Sequence, residues 1–181
     1  MMFIWSFGSF AFFLVPFYVA TIKIGNIYIS MMFSELAEFC GCIITLYFTR
    51  IMTLKNGLTL FSFVILVGSI LMTILVSMTS NGSNNSDLTV YLSSFFIMLT
   101  NLGVVCVFNI AYLINPTLFP TIFLSTCYGA CNVFGRFVTI FAPVAAELGQ
   151  TLPLLMLIGF SAVVTLCTRF LVIIKESDSS K

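Results

Sequence analysis

The chain has 181 residues, of which 60% are hydrophobic and 7% charged, and a formal net charge of +1. A water-soluble domain carries about 25% charged residues, so this composition excludes a soluble domain, a nucleic-acid binder and a secreted disulfide scaffold. Histidine is absent from the whole sequence; that removes Ser-His-Asp triads, Cys-His nucleophiles and nearly every zinc enzyme, so no enzyme, metal or cofactor is expected.

Apolar runs of the roughly 20 residues a membrane helix needs recur at 3–22, 27–49, 57–78, 88–114, 121–145 and 152–174. They predict an all-α membrane protein with six transmembrane helices and a short tail, 175–181. The first run has no basic segment before it and extends beyond the length of a signal-peptide core, so it reads as a spanning helix. Lys23-Ile24-Gly25-Asn26 separates it from the second run, which carries Glu35 and Glu38 on one helical face. Arg50 to Asn56 follow. The third run holds Ser62, Gly68, Ser69, Thr73 and Ser77, small residues suited to close helix packing. The polar stretch from Asn81 to Asp87 is a loop, and within it Asn81 and Asn84 each open a glycosylation sequon.

The fourth run carries Asn101, Asn109 and Tyr112, and a turn is expected between Asn115-Pro116 and Pro120. In the fifth run Ser125, Gly129, Asn132, Arg136 and Thr139 recur at spacings of three and four, which makes one polar stripe along a helix. Glu147 to Pro153 bound a last loop before the sixth run. The six cysteines all fall inside apolar runs and read as soft packing residues.

Basic residues set the orientation. Arg50, Lys55, Arg169, Lys175 and Lys181 fall on one side of the membrane and Lys23 alone on the other. Both termini are therefore expected in the cytoplasm, with the sequon loop outside, most naturally at the plasma membrane. Glu35, Glu38 and Arg136 lie deep in spans, where each costs about 2.5–3.5 kcal/mol at the bilayer centre. Such residues line an interior or a solute path, or act as structural glue between helices. The buried charges fall on the middle helix of each three-helix set, which suggests two inverted three-helix repeats.

The residues around Pro120 carry a resemblance. Tyr112-Leu-Ile-Asn-Pro-Thr-Leu-Phe-Pro120-Thr121 is followed by Gly129, by Gly135-Arg136 and by Pro143. This resembles the passage through the tenth and eleventh helices of the organic ion transporter family in the major facilitator superfamily. Gly25-Asn26-Ile27-Tyr28, Glu38-Phe39, Glu147-Leu148 and Leu152-Pro153-Leu154 are similar to other parts of the same half. Thr117, Leu124 and Cys40 stand where the family carries an acidic residue, a basic residue and a proline. The resemblance implies the C-terminal six-helix half of a secondary carrier for a small organic solute, working by alternating access with no covalent chemistry. It implies an anion or zwitterion, because Arg136 stands at the charge-selecting position. Arg136 would contact solute or Glu38, with Glu35 and Glu38 as counter-charges. Asn109, Tyr112 and Asn132 would add hydrogen bonds along the path. Gly129, Pro120, Thr121 and Pro143 would serve packing and gating. No counterpart of the family's first six helices precedes Met1, so the chain is expected to be a fragment, a truncated gene model, or a half needing that N-terminal half or a second chain. The alternative is a membrane interaction or scaffold protein that does not transport.

Overall fold

Hydrocarbon offers the backbone no hydrogen-bond partners, and a helix satisfies its own N–H and C=O groups. Accordingly, among the described residues every apolar run is helical, apart from the break at Ile140, and no strand occurs. The computed structural model describes residues 2–21, 27–81, 87–118, 121–149 and 151–170. In chain order the helices are α1 (Met2–Thr21), α2 (Ile27–Ile51), α3 (Leu54–Asn81), α4 (Asp87–Leu118), α5 (Thr121–Thr139), α6 (Phe141–Glu147) and α7 (Leu152–Phe170). Five stretches are long and apolar enough to cross a membrane: α1, α2, α3, α4, and α5 with α6 taken together. The apolar stretch Leu152–Thr168 of α7 is shorter. This is the build of a multi-pass membrane protein. Of the sequence expectations, Asn84, Pro120 and the 175–181 tail lie outside the described residues; Asn81 closes α3 and Thr121 opens α5.

Helix α3 runs three residues beyond its expected bounds at each end, so that Asn81 is helical rather than in the loop; two further differences from the sequence reading lie at prolines. The turn expected at Asn115-Pro116 is helical, and α4 runs on to Leu118. Proline has no N–H and cannot donate to the carbonyl four residues back, which here belongs to Tyr112. A side chain substitutes: the Tyr128 hydroxyl donates to the Tyr112 carbonyl at 2.7 Å. The fifth run, expected as one helix, is interrupted at Ile140. Pro143 leaves the Thr139 carbonyl without its donor in the same way, and among the described residues no side chain is bonded to it. Ile140 still donates to the Arg136 carbonyl at 3.3 Å and keeps helical dihedrals, so the break is a kink within one span.

Helices α1 and α4 form the centre, with Trp5, Leu14, Val104, Val107 and Ile110 fully or almost fully buried. They run antiparallel: Gly8 packs on Phe108, and Trp5 meets Tyr112 with ring centroids 4.2 Å apart. On one flank α2 lies parallel to α4. That seam is closed by Ser30–Ser94 hydroxyls at 2.9 Å, by the Asn101 amide donating to the Ser34 carbonyl and hydroxyl at 3.0 and 2.9 Å, and by Asn109 donating to the Cys42 sulfur at 3.7 Å. On the other flank α5 and α6 lie parallel to α1, with Tyr128 and Gly135 against Trp5 and the Thr21 hydroxyl donating to the Ala146 carbonyl at 3.4 Å. Among the described residues α2 and α5 do not touch.

Helix α3 runs antiparallel to α4 at very short range. A Cβ on Gly68 would stand 2.5 Å from the Thr100 hydroxyl, and one on Gly103 would stand 2.8 Å from the Ile65 side chain and 3.2 Å from backbone atoms of Ile65 and Phe61. The fully buried Ser62 and Ser69 turn their hydroxyls onto carbonyls of their own helix, at 2.7 Å each. Small residues on α3 therefore serve close packing, as the sequence reading expects of Ser62, Gly68 and Ser69; Ser77 is exposed.

Candidate functional site

Three helices each contribute two side chains one turn apart to a single cleft: Ser9 and Phe13 from α1, Phe108 and Tyr112 from α4, Asn132 and Arg136 from α5. A spacing of four puts both members of each pair on one helical face. Three of the six solute-path residues expected from sequence, Tyr112, Asn132 and Arg136, thus converge. Gly135 makes the convergence possible. A Cβ there would meet the Ser9 hydroxyl at 3.0 Å and the Trp5 ring at 3.1 Å, so glycine lets α5 settle on α1 and places the next residue, Arg136, beside the cleft.

The Arg136 guanidinium stands 5.8 Å over the Phe13 ring, near the outer limit of a cation–π contact, worth about 0.5–1 kcal/mol at an exposed site. Within the chain, among the described residues, no ion pair joins it to Glu35 or Glu38. The reason is topological: α2 sits on the α4 flank and α5 on the α1 flank. Glu35 is exposed and Glu38 half-buried, with Glu35 and Asn101 the groups beside the Glu38 carboxylate. Asn109 is turned to Cys42 rather than into the cleft. A Cβ on Gly129 would meet nothing within 4 Å, so this chain makes no close packing there; Pro143 produces the kink.

Sequence reasoning missed Ser9, Phe13 and Phe108. It also missed the aromatic wall behind them, where Trp5 packs against Phe108, Tyr112 and Tyr128 at 6.2, 4.2 and 5.5 Å. The available signal was the four-residue spacing of Trp5, Ser9 and Phe13 along α1. The first run is so uniformly apolar that this spacing does not stand out.

The cleft measures about 30 Å³, enough for water but not for an organic solute. A larger pocket of about 170 Å³ between α1, α5 and α7 is lined by Phe7, Phe10, Phe134, Val138 and Phe160, among others, and has no charged or amide group to orient a solute. Among the described residues no cluster of His, Cys, Asp or Glu could hold a metal ion.

The Tyr128–Tyr112 bond ties α5 to α4 behind the cleft. Tyr128→Phe is expected to lower thermal stability in detergent by about 1 kcal/mol, the usual net worth of one hydrogen bond. An unchanged melting temperature would mean that water serves the Tyr112 carbonyl equally well.

Comparison with protein-family models and with curated proteins gives no match.

Proposed function

We propose that the chain is one six-helix unit of a secondary carrier for a small organic anion or zwitterion. The observation that carries this reading is the convergence of Arg136, Asn132 and Tyr112 on one cleft, lined also by Ser9, Phe13 and Phe108. A guanidinium binds a carboxylate or sulfonate through two parallel hydrogen bonds. An amide and a hydroxyl beside it add orientation, and the aromatic rings favour an organic body over a bare inorganic ion. The packing supports a repeated plan: exchanging α1–α3 for α4–α7 turns the α2–α4 seam into the α5–α1 seam, each of them parallel. The resemblance of the Pro120-Thr121, Arg136 and Pro143 frame to organic ion transporters of the major facilitator superfamily points the same way. The small cleft supports a solute path completed by a second six-helix unit, with alternating access between the two.

Basic-residue asymmetry supports cytoplasmic termini at the plasma membrane, with Asn81, at the end of α3, and Asn84 on the external side and glycosylated. With a second copy of the chain as the second unit, the test is uptake by cells expressing the full chain with a C-terminal epitope, against a panel of labelled carboxylates, sulfonates, zwitterions and cations. Accumulation of the anions or zwitterions over vector-only cells is expected, with the epitope stained only after permeabilisation. A chain present at the surface that moves no solute would overturn the carrier reading and leave a scaffold; staining of intact cells would overturn the orientation.

A further inference from the structure

The face formed by α2, the α1–α4 centre and α5 leaves charges of both signs uncovered. Glu35 on α2 and Asn132 and Arg136 on α5 are exposed, Glu38 is half-buried, and among the described residues none of these charged groups has an opposite charge beside it. Lipid cannot solvate them, so something else covers them. The acid sits on one flank and the base on the other. Because α2 is parallel to α4, α5 is parallel to α1, and α1 is antiparallel to α4, helices α2 and α5 run in opposite directions.

Their polar residues are also matched in depth. Glu38 lies eleven positions after the start of α2 (27 to 38), and Arg136 eleven before the end of α6 (136 to 147). For Cys42 and Asn132 both intervals are fifteen (27 to 42, 132 to 147), and for Glu35 and Thr139 both are eight. Contacts give the same level to within about one helical turn of 5.4 Å: Cys42 meets Asn109, the neighbouring Phe108 stacks on Phe12, and Arg136 lies over Phe13.

Two copies inserted the same way are related by a two-fold axis along the membrane normal. Such an axis in front of this face sets α2 of each copy against α5 of the other, and a self-complementary interface needs this reciprocity. We propose that this face binds a second copy of the chain, with Glu38 of each copy paired to Arg136 of the other and Cys42 level with Asn132. The proposal rests on the carrier reading only in taking the face as turned away from lipid.

The full chain carrying Asn132→Cys is expected to give a dimer band with a short bis-maleimide in membranes, and Cys42→Ser in that background is expected to remove it. In the same background Glu38→Arg alone or Arg136→Glu alone is expected to lower the cross-linked fraction at least about tenfold, and the double reversal to restore it, since like charges across an interface repel. Membrane abundance is measured alongside. If the single reversals fail to accumulate, recovery of both abundance and cross-linking in the double variant still reads the pairing. No Cys42-dependent dimer in the Asn132→Cys chain at normal abundance overturns the proposal, as does a band indifferent to charge reversal. Solute uptake without a dimer would sink the pairing and leave the carrier reading; a dimer without uptake would do the reverse.

Discussion

Arg136→Asp is expected to abolish uptake of anionic solutes, by at least about 100-fold, in a chain that still reaches the membrane. Two unit charges 4 Å apart interact by about 4 kcal/mol at an effective dielectric constant near 20, and each 1.4 kcal/mol is tenfold in an equilibrium constant. Reversing the sign replaces that attraction with repulsion, so 100-fold is a conservative figure. Little of the fold depends on this side chain, whose contact with the Phe13 ring is long at 5.8 Å. Arg136→Lys keeps the charge but loses the planar fork, and should fall between the two. Glu38→Gln separates the cleft from the partner contact, because Glu38 lies on α2 and does not line the cleft. A defect in subunit pairing lowers uptake in Glu38→Gln and Arg136→Asp alike, whereas loss of the anion contact singles out Arg136→Asp. Undiminished anion uptake by Arg136→Asp would refute the assigned role.

The largest expected effect on stability is at Gly103. A leucine there must displace α3 from α4, because the first atom it adds stands 3.2 Å from the Ile65 nitrogen and the Phe61 carbonyl oxygen. Backbone atoms do not rotate aside as a side-chain end does. Overpacking costs typically 1–3 kcal/mol, and this site belongs at the upper end, about 3 kcal/mol. Gly129→Ala, with open space around it, is the matched comparison and should be neutral or slightly stabilising, since alanine is the better helix former by about 1 kcal/mol. Thermal melting in detergent checks both. Equal melting temperatures would show that the α3–α4 approach has slack the distances do not suggest.

The helices were legible in the sequence because apolar length is the dominant signal for a membrane span, and the α5 stripe was legible because three- and four-residue spacings stand out against a partly polar helix. Asn132 and Arg136 came from that signal, and Tyr112 from the polar residues Asn101, Asn109 and Tyr112 of the fourth run. What was not legible depends on which helix lies next to which. Glu35 and Glu38 share a face, but their spacing does not say whether that face meets α5. In the chain it lies on the opposite flank, and the pairing with Arg136 does not form within one copy. The continuation of α4 through Pro116 depends on a hydroxyl supplied twelve residues later by Tyr128 on another helix. Local rules read the proline as a stop because they carry no information about that donor. In α1 the cleft-facing Ser9 and Phe13 are masked for a different reason: the helix is buried on most of its surface, so apolar residues occupy nearly every position.

The arrangement of partners has a consequence for how the protein is made. Among the described residues α1 and α3 do not touch, and α2 makes only slight contact with either of them. Each of the three instead packs on α4, which the ribosome produces after them at about 5–20 residues per second. Until α4 is inserted, the early helices stand nearly apart in the bilayer, with Ser30 and Ser34 of α2 and the Gly68 notch of α3 uncovered. The insertion of α4 is therefore an assembly checkpoint rather than one more addition to a growing stack.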